Sequence, residues 1–334
     1  MSDSRDTRLR FEQWAKNPLC TANAISAVHN VPMVDVARKE GIKPSFGQSP
    51  FALARGNSFE RSLFKDDATS MHAALVRAGV LPEDRAGFLD LRIRMNSGPE
   101  KDHDSALAAT LKFLKKVAGT TRARDLEALP AILAGPIVRI PGGIMLPEAI
   151  LVIDCLVVRI VDDRPQLMVG EIKTYPDRGG YTDTGELATA RAQAGVYVHG
   201  LRVVLEEMGL VDALPVADEG FLVLTRPGFN QPSVRAGESL RYQAERAKRG
   251  FERLRALALE LGGSTKPDVV IPRILESETH YCEACLSFCD RAPICHAAAQ
   301  KSNDGAILGD DMVSFLGSVP MARALALLSG AKPA

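Results

Sequence analysis

The chain has 334 residues, 46% of them hydrophobic and 25% charged, which is enough to bury a large core in one elaborated domain or two smaller ones and excludes a disordered chain. Its 41 basic and 41 acidic residues cancel, so any nucleic-acid binding must come from a local basic patch. The polar N-terminus carries no apolar segment of the signal-peptide kind, and the best apolar run is broken by Asp154 and Arg159, so the expectation is a cytoplasmic protein with no membrane partner.

In chain order, residues 7 to 65 read as helical, with a turn-rich break from Lys43 to Pro50. Cys20 follows the Asn17-Pro18 turn signal, ahead of a short helix. Phe51 to Lys65 reads as an amphipathic helix with Phe59 and Leu63 one turn apart and Glu60 facing elsewhere. Residues 66 to 133 read as mostly helical, and Pro136 to Ile140 as a short strand. Two β-branched runs, Ala149 to Ile160 and Gln166 to Lys173, then flank the turn-forming string Val161 to Pro165, the pattern of an antiparallel hairpin. A Gly- and Asp-rich loop, Pro176 to Gly185, leads into a helix from Glu186 to Met208 whose apolar stripe runs through Leu187, Ala190, Ala194, Val198, Leu201 and Leu205. Gly220 to Thr225 should return to the sheet as a parallel neighbour, since a crossover helix precedes it. A second long helix, Glu238 to Leu261, turns Arg241, Arg246, Lys248, Arg249, Arg253 and Arg255 outward against Glu245 and Glu252. This is the best basic surface in the chain, and the commoner meaning of such a run is a solvated helix face. Pro320 to Leu328 closes the chain as a short helix.

The hairpin carries the chemistry. If its strands pair symmetrically about Asp162 and Asp163, Asp154 stands opposite Glu171. Alternation then sets Glu171 and Lys173 on one face and Ile172 on the other. Like charges opposed in a sheet are destabilising, so two carboxylates in register ask for a cation. Hard oxygen ligands favour magnesium or manganese, and such a site suits metal-assisted hydrolysis of a phosphodiester, with a lysine to orient water and stabilise developing charge. The register is critical, because a slip of one residue would separate the two acids. Taken alone, Glu171-Ile172-Lys173 would more often be a salt-bridged ornament on a strand, and Asp154 an acid paired with Arg159 or Arg139.

The order of motifs resembles the PD-(D/E)xK nuclease superfamily, specifically its RecB-type branch. The residues that carry the resemblance are Asp154 in a strand run, Glu171-Ile172-Lys173 on the next strand, and Gln193-Ala194-Gly195-Val196-Tyr197 on the following helix. Gly56-Asn57-Ser58-Phe59-Glu60 is similar to the branch's Gly-x-x-hydrophobic-His motif, with Glu60 in place of the His. The resemblance implies a restriction-endonuclease-like mixed β-sheet flanked by helices. It also implies that Asp154 and Glu171 bind the metal, with the Ile172 carbonyl and Glu60 as further ligands. Lys173 would polarise the nucleophilic water, and Gln193 and Tyr197 would orient the lysine and contact DNA. The organisation that follows is an N-terminal helical part (1–65), a helical insertion (66–135), the nuclease core (136–230), a helix with the cysteine cluster (231–300) and a tail (301–334).

Cys282, Cys285, Cys289 and Cys295 crowd into one window, which in a reducing compartment favours metal ligation over disulfides. Iron-sulfur members of the branch, the CRISPR-associated exonucleases and AddAB-type nucleases, use one cysteine before the first motif helix and three after the core. Cys20 and the Cys282 to Cys295 window stand in those places, which implies a 4Fe-4S cluster joining the two ends of the chain. The branch's usual Cys-x-x-Cys-x5-Cys spacing is split between Cys282-x-x-Cys285 and Cys289-x5-Cys295, so one of the four is spare, and zinc is the rival metal. Cys155 reads as a core residue. The expected activity is hydrolysis of DNA, single-stranded or at ends, in repair, recombination or antiviral defence, within a complex or alone. The alternatives are a non-catalytic nucleic-acid- or protein-binding scaffold of this fold and a cluster-gated, redox-sensing DNA binder.

Overall fold

The computed structural model describes residues 5–43, 50–95, 102–143, 146–227, 231–264, 266–282 and 284–330; the expected break at 44–49 lies outside them. No helix of the described chain is long and apolar enough to cross a membrane. The chain divides into two compact units, a helical unit formed by Met1–Gly47, Gly142–Pro147 and Gly250–Ala334, and a sheet unit formed by Gln48–Pro141 and Glu148–Arg249.

The chain opens with α1 (Arg5–Lys16), α2 (Thr21–His29) and α3 (Met33–Lys39). The sheet unit then supplies α4 (Pro50–Arg77), β1 (Phe88–Asp90), α5 (Arg92–Met95), α6 (His103–Ala118), α7 (Ala123–Glu127), β2 (Ile132–Ala134), β3 (Ile137–Ile140), β4 (Ala149–Val152), β5 (Cys155–Val161), β6 (Arg164–Pro176), α8 (Thr184–Glu207), β7 (Glu219–Thr225) and β8 (Pro232–Ser239). After α9 (Arg241–Leu261) come α10 (Pro267–Glu276), α11 (Cys285–Phe288), α12 (Ala292–Ser302), a 3-10 turn at Gly305–Leu308, α13 (Asp310–Leu316) and α14 (Met321–Leu328).

The architecture is mixed α/β. Six strands form one mixed sheet in the order β1-β2-β5-β6-β7-β8, in which β1/β2 and β6/β7 are parallel and the other pairs antiparallel. On one face Leu63, Phe64, Met71 and Leu75 of α4 pack on Ile132, Val157, Met168, Ile172, Phe221 and Val223. Elsewhere Leu187 and Ala190 of α8 pack on Leu222 and Leu224 of β7. Gly170 is required by a close approach: a Cβ there would stand 2.2 Å from the Phe221 ring. In α8, a Cβ at Gly200 would stand 2.6 Å from Leu151 of β4, so the missing side chain lets the helix settle on the small β3/β4 sheet.

Asp162 and Asp163 both take positive φ, 50° and 59°, the two-residue turn that matches strand twist. Pairing runs from Val161↔Arg164 to Cys155↔Gly170, the expected symmetric register, which continued by one pair sets Asp154 across from Glu171. The first arm of the hairpin, however, is two strands rather than one. β4 pairs with β3 in a separate two-stranded sheet, while β5 belongs to the main sheet, and the chain changes sheets at Ile153-Asp154. A half-buried carboxylate that binds a backbone amide does not continue a ladder, which is why the apolar run breaks there.

Other elements also differ from expectation. The stretch 66–133 supplies β1 and β2 to the main sheet, each three residues long and too short for a readable period. The first helix does stop at Lys65, where backbone angles leave the helical region through Ala68, but the chain then resumes helix to Arg77. Glu238 lies in edge strand β8, so α9 starts at Arg241.

Candidate functional site

At the hairpin, the Ile172 amide donates to Asp154 Oδ2 at 3.0 Å, which fixes the Asp154 carboxylate beside β6. Glu171 is 0% exposed, and its Oε1 lies 2.7 Å from Lys173 Nζ. Lys173 Nζ donates to Gln193 Oε1 at 2.9 Å, and Gln193 Nε2 donates to the Tyr197 hydroxyl at 2.9 Å. One line of contacts therefore runs from β6 to two residues four apart on α8, which share a helix face. Tyr197, expected at the border of the apolar stripe, is buried. The Ile172 side chain points into the opposite core, as alternation requires.

Burial works to lower the Lys173 pKa, but Glu171 and Asp154 outweigh it and hold the ammonium above the ordinary lysine range. The lysine is therefore a standing positive charge within reach of both acids, and it contributes as a cation and donor.

Glu60 has a partner that the sequence did not reveal. Arg92 Nη1 donates to Glu60 Oε1 at 2.7 Å, while its Nε and Nη2 bind Asp90 Oδ1 at 2.9 Å and Oδ2 at 2.6 Å. The guanidinium also lies over the Phe64 ring, 4.5 Å from its centroid. Burial tends to lower the Arg92 pKa, and the acids Asp90 and Glu60 more than reverse that. The Glu60 carboxylate thus shares the Arg92 guanidinium with Asp90. Asp90, Ala134, Cys155 and Gly170 are aligned across four strands. Burial pushes the Cys155 thiol up, Asp154 and Glu60 add to this, and Arg92 opposes them, so these groups share one neighbourhood. The signal for Asp90 was present in Leu89-Asp90-Leu91, an acid in a short apolar run of the same kind as Asp154. Arg92 had no such signal.

In the helical unit, all five expected cysteines join one apolar core with Ile25, Val36, Ile271, Ile274 and Tyr281; Cys20, Cys285 and Cys289 are buried, and Cys282 and Cys295 half-buried. Cys20 ends the link into α2, and it shares one apolar core with the sequence-distant C-terminal cysteines. Cys282 and Cys285 sulfurs lie 3.8 Å apart. Donors point at the sulfurs: Asn17 Nδ2 at 3.2 Å from Cys285 Sγ, the Arg291 backbone amide toward Cys289, and Thr279 toward Cys295. Burial first, and neighbouring thiols after it, raise Cys285 and Cys295 and push Cys289 up to about 12. Arg291 is buried and bidentate to Glu40 at 2.6 and 2.9 Å, a second tie between the two chain ends.

On α9, Arg241, Arg246, Lys248, Arg249 and Arg253 are exposed and Arg255 is partly so, as expected of an outward basic face. Among the described residues, no three His, Cys, Asp or Glu side chains stand close enough together to hold a metal ion. The donor chemistry of the two sets nevertheless fits the expected groups. Magnesium is held by one or two carboxylates with water and phosphate oxygens completing the shell, and the hairpin offers Asp154 and Glu171. Soft thiols with N–H donors on their sulfurs suit a cluster or zinc. No family model, no curated protein and no solved structure matches the chain.

Proposed function

We propose that the chain is a magnesium- or manganese-dependent deoxyribonuclease of the PD-(D/E)xK, RecB-type kind, acting on single strands or ends, with a restriction-endonuclease-like core. The observation that carries this is the unbroken contact line Glu171, Lys173, Gln193, Tyr197, with Asp154 held to the Ile172 amide beside it. A salt-bridged ornament on a strand would need none of the α8 contacts.

Bound there, the metal would supply Lewis acidity at the scissile phosphate and acidify the attacking water. Asp154 and Glu171 would hold it, and the Ile172 amide would keep Asp154 from rotating away. Lys173, kept charged by the two acids, donates toward the water and the phosphate oxygen as charge develops. Gln193 orients the ammonium, and Tyr197 fixes the amide of Gln193. In the helical unit the cysteines would hold a 4Fe-4S cluster, with zinc as the alternative, tying Cys20 to the C-terminal window.

The decisive experiment compares wild type, Asp154→Ala and Lys173→Ala on end-labelled single-stranded DNA with magnesium or manganese. Loss of cleavage in both variants is the expected result; equal activity in all three would remove the site.

A further inference from the structure

We propose that Arg55 grips a phosphate of the bound strand beside the hairpin site; this rests on the nuclease activity proposed above. Arg55 lies on α4, five residues before Glu60. Its Nη2 is 3.2 Å from Thr174 Oγ1 and 3.5 Å from the Thr174 carbonyl oxygen, so the guanidinium is moored to the residue that follows Lys173. The mooring is itself fixed, because Thr225 of β7 donates through its hydroxyl to the same carbonyl at 3.3 Å. Both Thr174 partners are neutral, and among the described residues no acid pairs with Arg55. The residue is exposed.

Charge balance gives this cation its role. Around the hairpin, Asp154, Glu171, Glu60 and Asp90 set four negative charges against the positive charges of Lys173 and Arg92. One divalent cation brings that group to neutrality. A phosphodiester then arrives with a further negative charge, and both cations of this group, Lys173 and Arg92, are already committed to carboxylates. Arg55 is not. A guanidinium presents five N–H donors in a planar fork that matches phosphate oxygens, and tethering through Nη2 leaves Nε and Nη1 for a ligand. Holding the tether on β6 lowers the rotamer entropy lost on binding.

The test uses the full-length protein and a fluorescent oligothymidylate, with calcium in place of magnesium so that binding is read without turnover. Anisotropy is measured over a range of salt for wild type, Arg55→Ala and Arg55→Lys, and cleavage kinetics are measured separately in manganese. Arg55→Ala is expected to weaken binding about tenfold. It should also flatten the slope of log affinity against log salt by about 0.7, the value for one single-strand phosphate contact. KM should rise about tenfold with kcat little changed, and Arg55→Lys should keep the slope while recovering part of the affinity. An unchanged slope in Arg55→Ala overturns the proposal, whether affinity is retained or falls uniformly with a lowered melting temperature. If wild type cleaves, Asp154→Ala does not, and Arg55→Ala equals wild type, Arg55 alone is wrong. If wild type neither binds nor cleaves, the nuclease activity falls, and the role of Arg55 with it.

Discussion

The hairpin and the cysteine core treat buried polar atoms in opposite ways. At the hairpin, the fully buried Glu171 has its own cation in Lys173, and the ammonium is held by Gln193, so this one acid is paired before anything binds. In the helical unit, burial and crowding drive Cys285, Cys289 and Cys295 toward the protonated thiol. The contrast teaches which region the proposed metals would affect more. A carboxylate paired with a lysine already has its counter-charge, whereas packed thiols become ligands only when an incoming ion displaces their protons to solvent. The hairpin is therefore expected to keep its geometry without metal, and the helical unit to depend on it.

The largest effect that would break this comparison is in the helical unit. Cys20→Ala should abolish bound iron, bleach a brown colour and lower solubility, as read by elemental analysis and visible absorbance. Anaerobically purified wild type with neither iron nor an absorbance shoulder removes the cluster, and stoichiometric zinc replaces it with the rival. Next in size is catalysis. Lys173→Ala should lower cleavage by roughly 100- to 1,000-fold, the scale seen when one donor to a developing charge is removed, and Asp154→Ala, which removes a proposed metal ligand, should lower it at least as much.

A sharper test of the hairpin's self-sufficiency is thermodynamic. Lys173→Met should cost about 3–5 kcal/mol by leaving the buried Glu171 without its cation, and adding Glu171→Gln should recover much of that. Denaturant unfolding of the two variants checks it, and a double variant no more stable than Lys173→Met would show that the pair is not coupled. The smallest effect is a pH dependence. Burial, with Arg273 and Arg10 nearby, holds His29 below its ordinary value. The unfolded chain then takes up a proton that the folded chain resists. This contribution to stability is complete above pH 6.5 and is lost as pH falls from there through the lowered folded pKa. Melting temperature between pH 7.5 and 5 should drop more for wild type than for His29→Leu.

Legibility in the sequence followed the length over which a pattern repeats. The hairpin register could be read because a two-residue Asp-Asp turn fixes it and seven pairs follow. The stop of the first helix at Lys65, the crossover helix α8 and the parallel return of β7 were readable for the same reason. The ending of β4 was not. An acid in an apolar run reads as a polar residue within a strand, and only the Asp154 bond to Ile172 reveals a change of sheet. β1 and β2 were hidden by their brevity, and β8 because an edge strand such as Ser233-Val234-Arg235-Ala236 has no buried alternation to announce it. At the site, Gln193 and Tyr197 were findable because helical spacing makes them neighbours. Arg92 was not, since it reaches Glu60 from 32 residues away through a fold no local pattern encodes.

Gly170 also limits how this chain can diverge. A side chain at the position immediately before Glu171 would have to displace Phe221, a wholly buried ring on the neighbouring strand β7. Mutational drift at the exposed turn Asp162-Asp163 is limited only to residues that accept a positive φ, yet is barred one residue from the proposed metal ligand. A library of functional variants should therefore show an abrupt wall at position 170. That wall would persist even in descendants that had lost the acids and the activity, because it is imposed by packing rather than by chemistry.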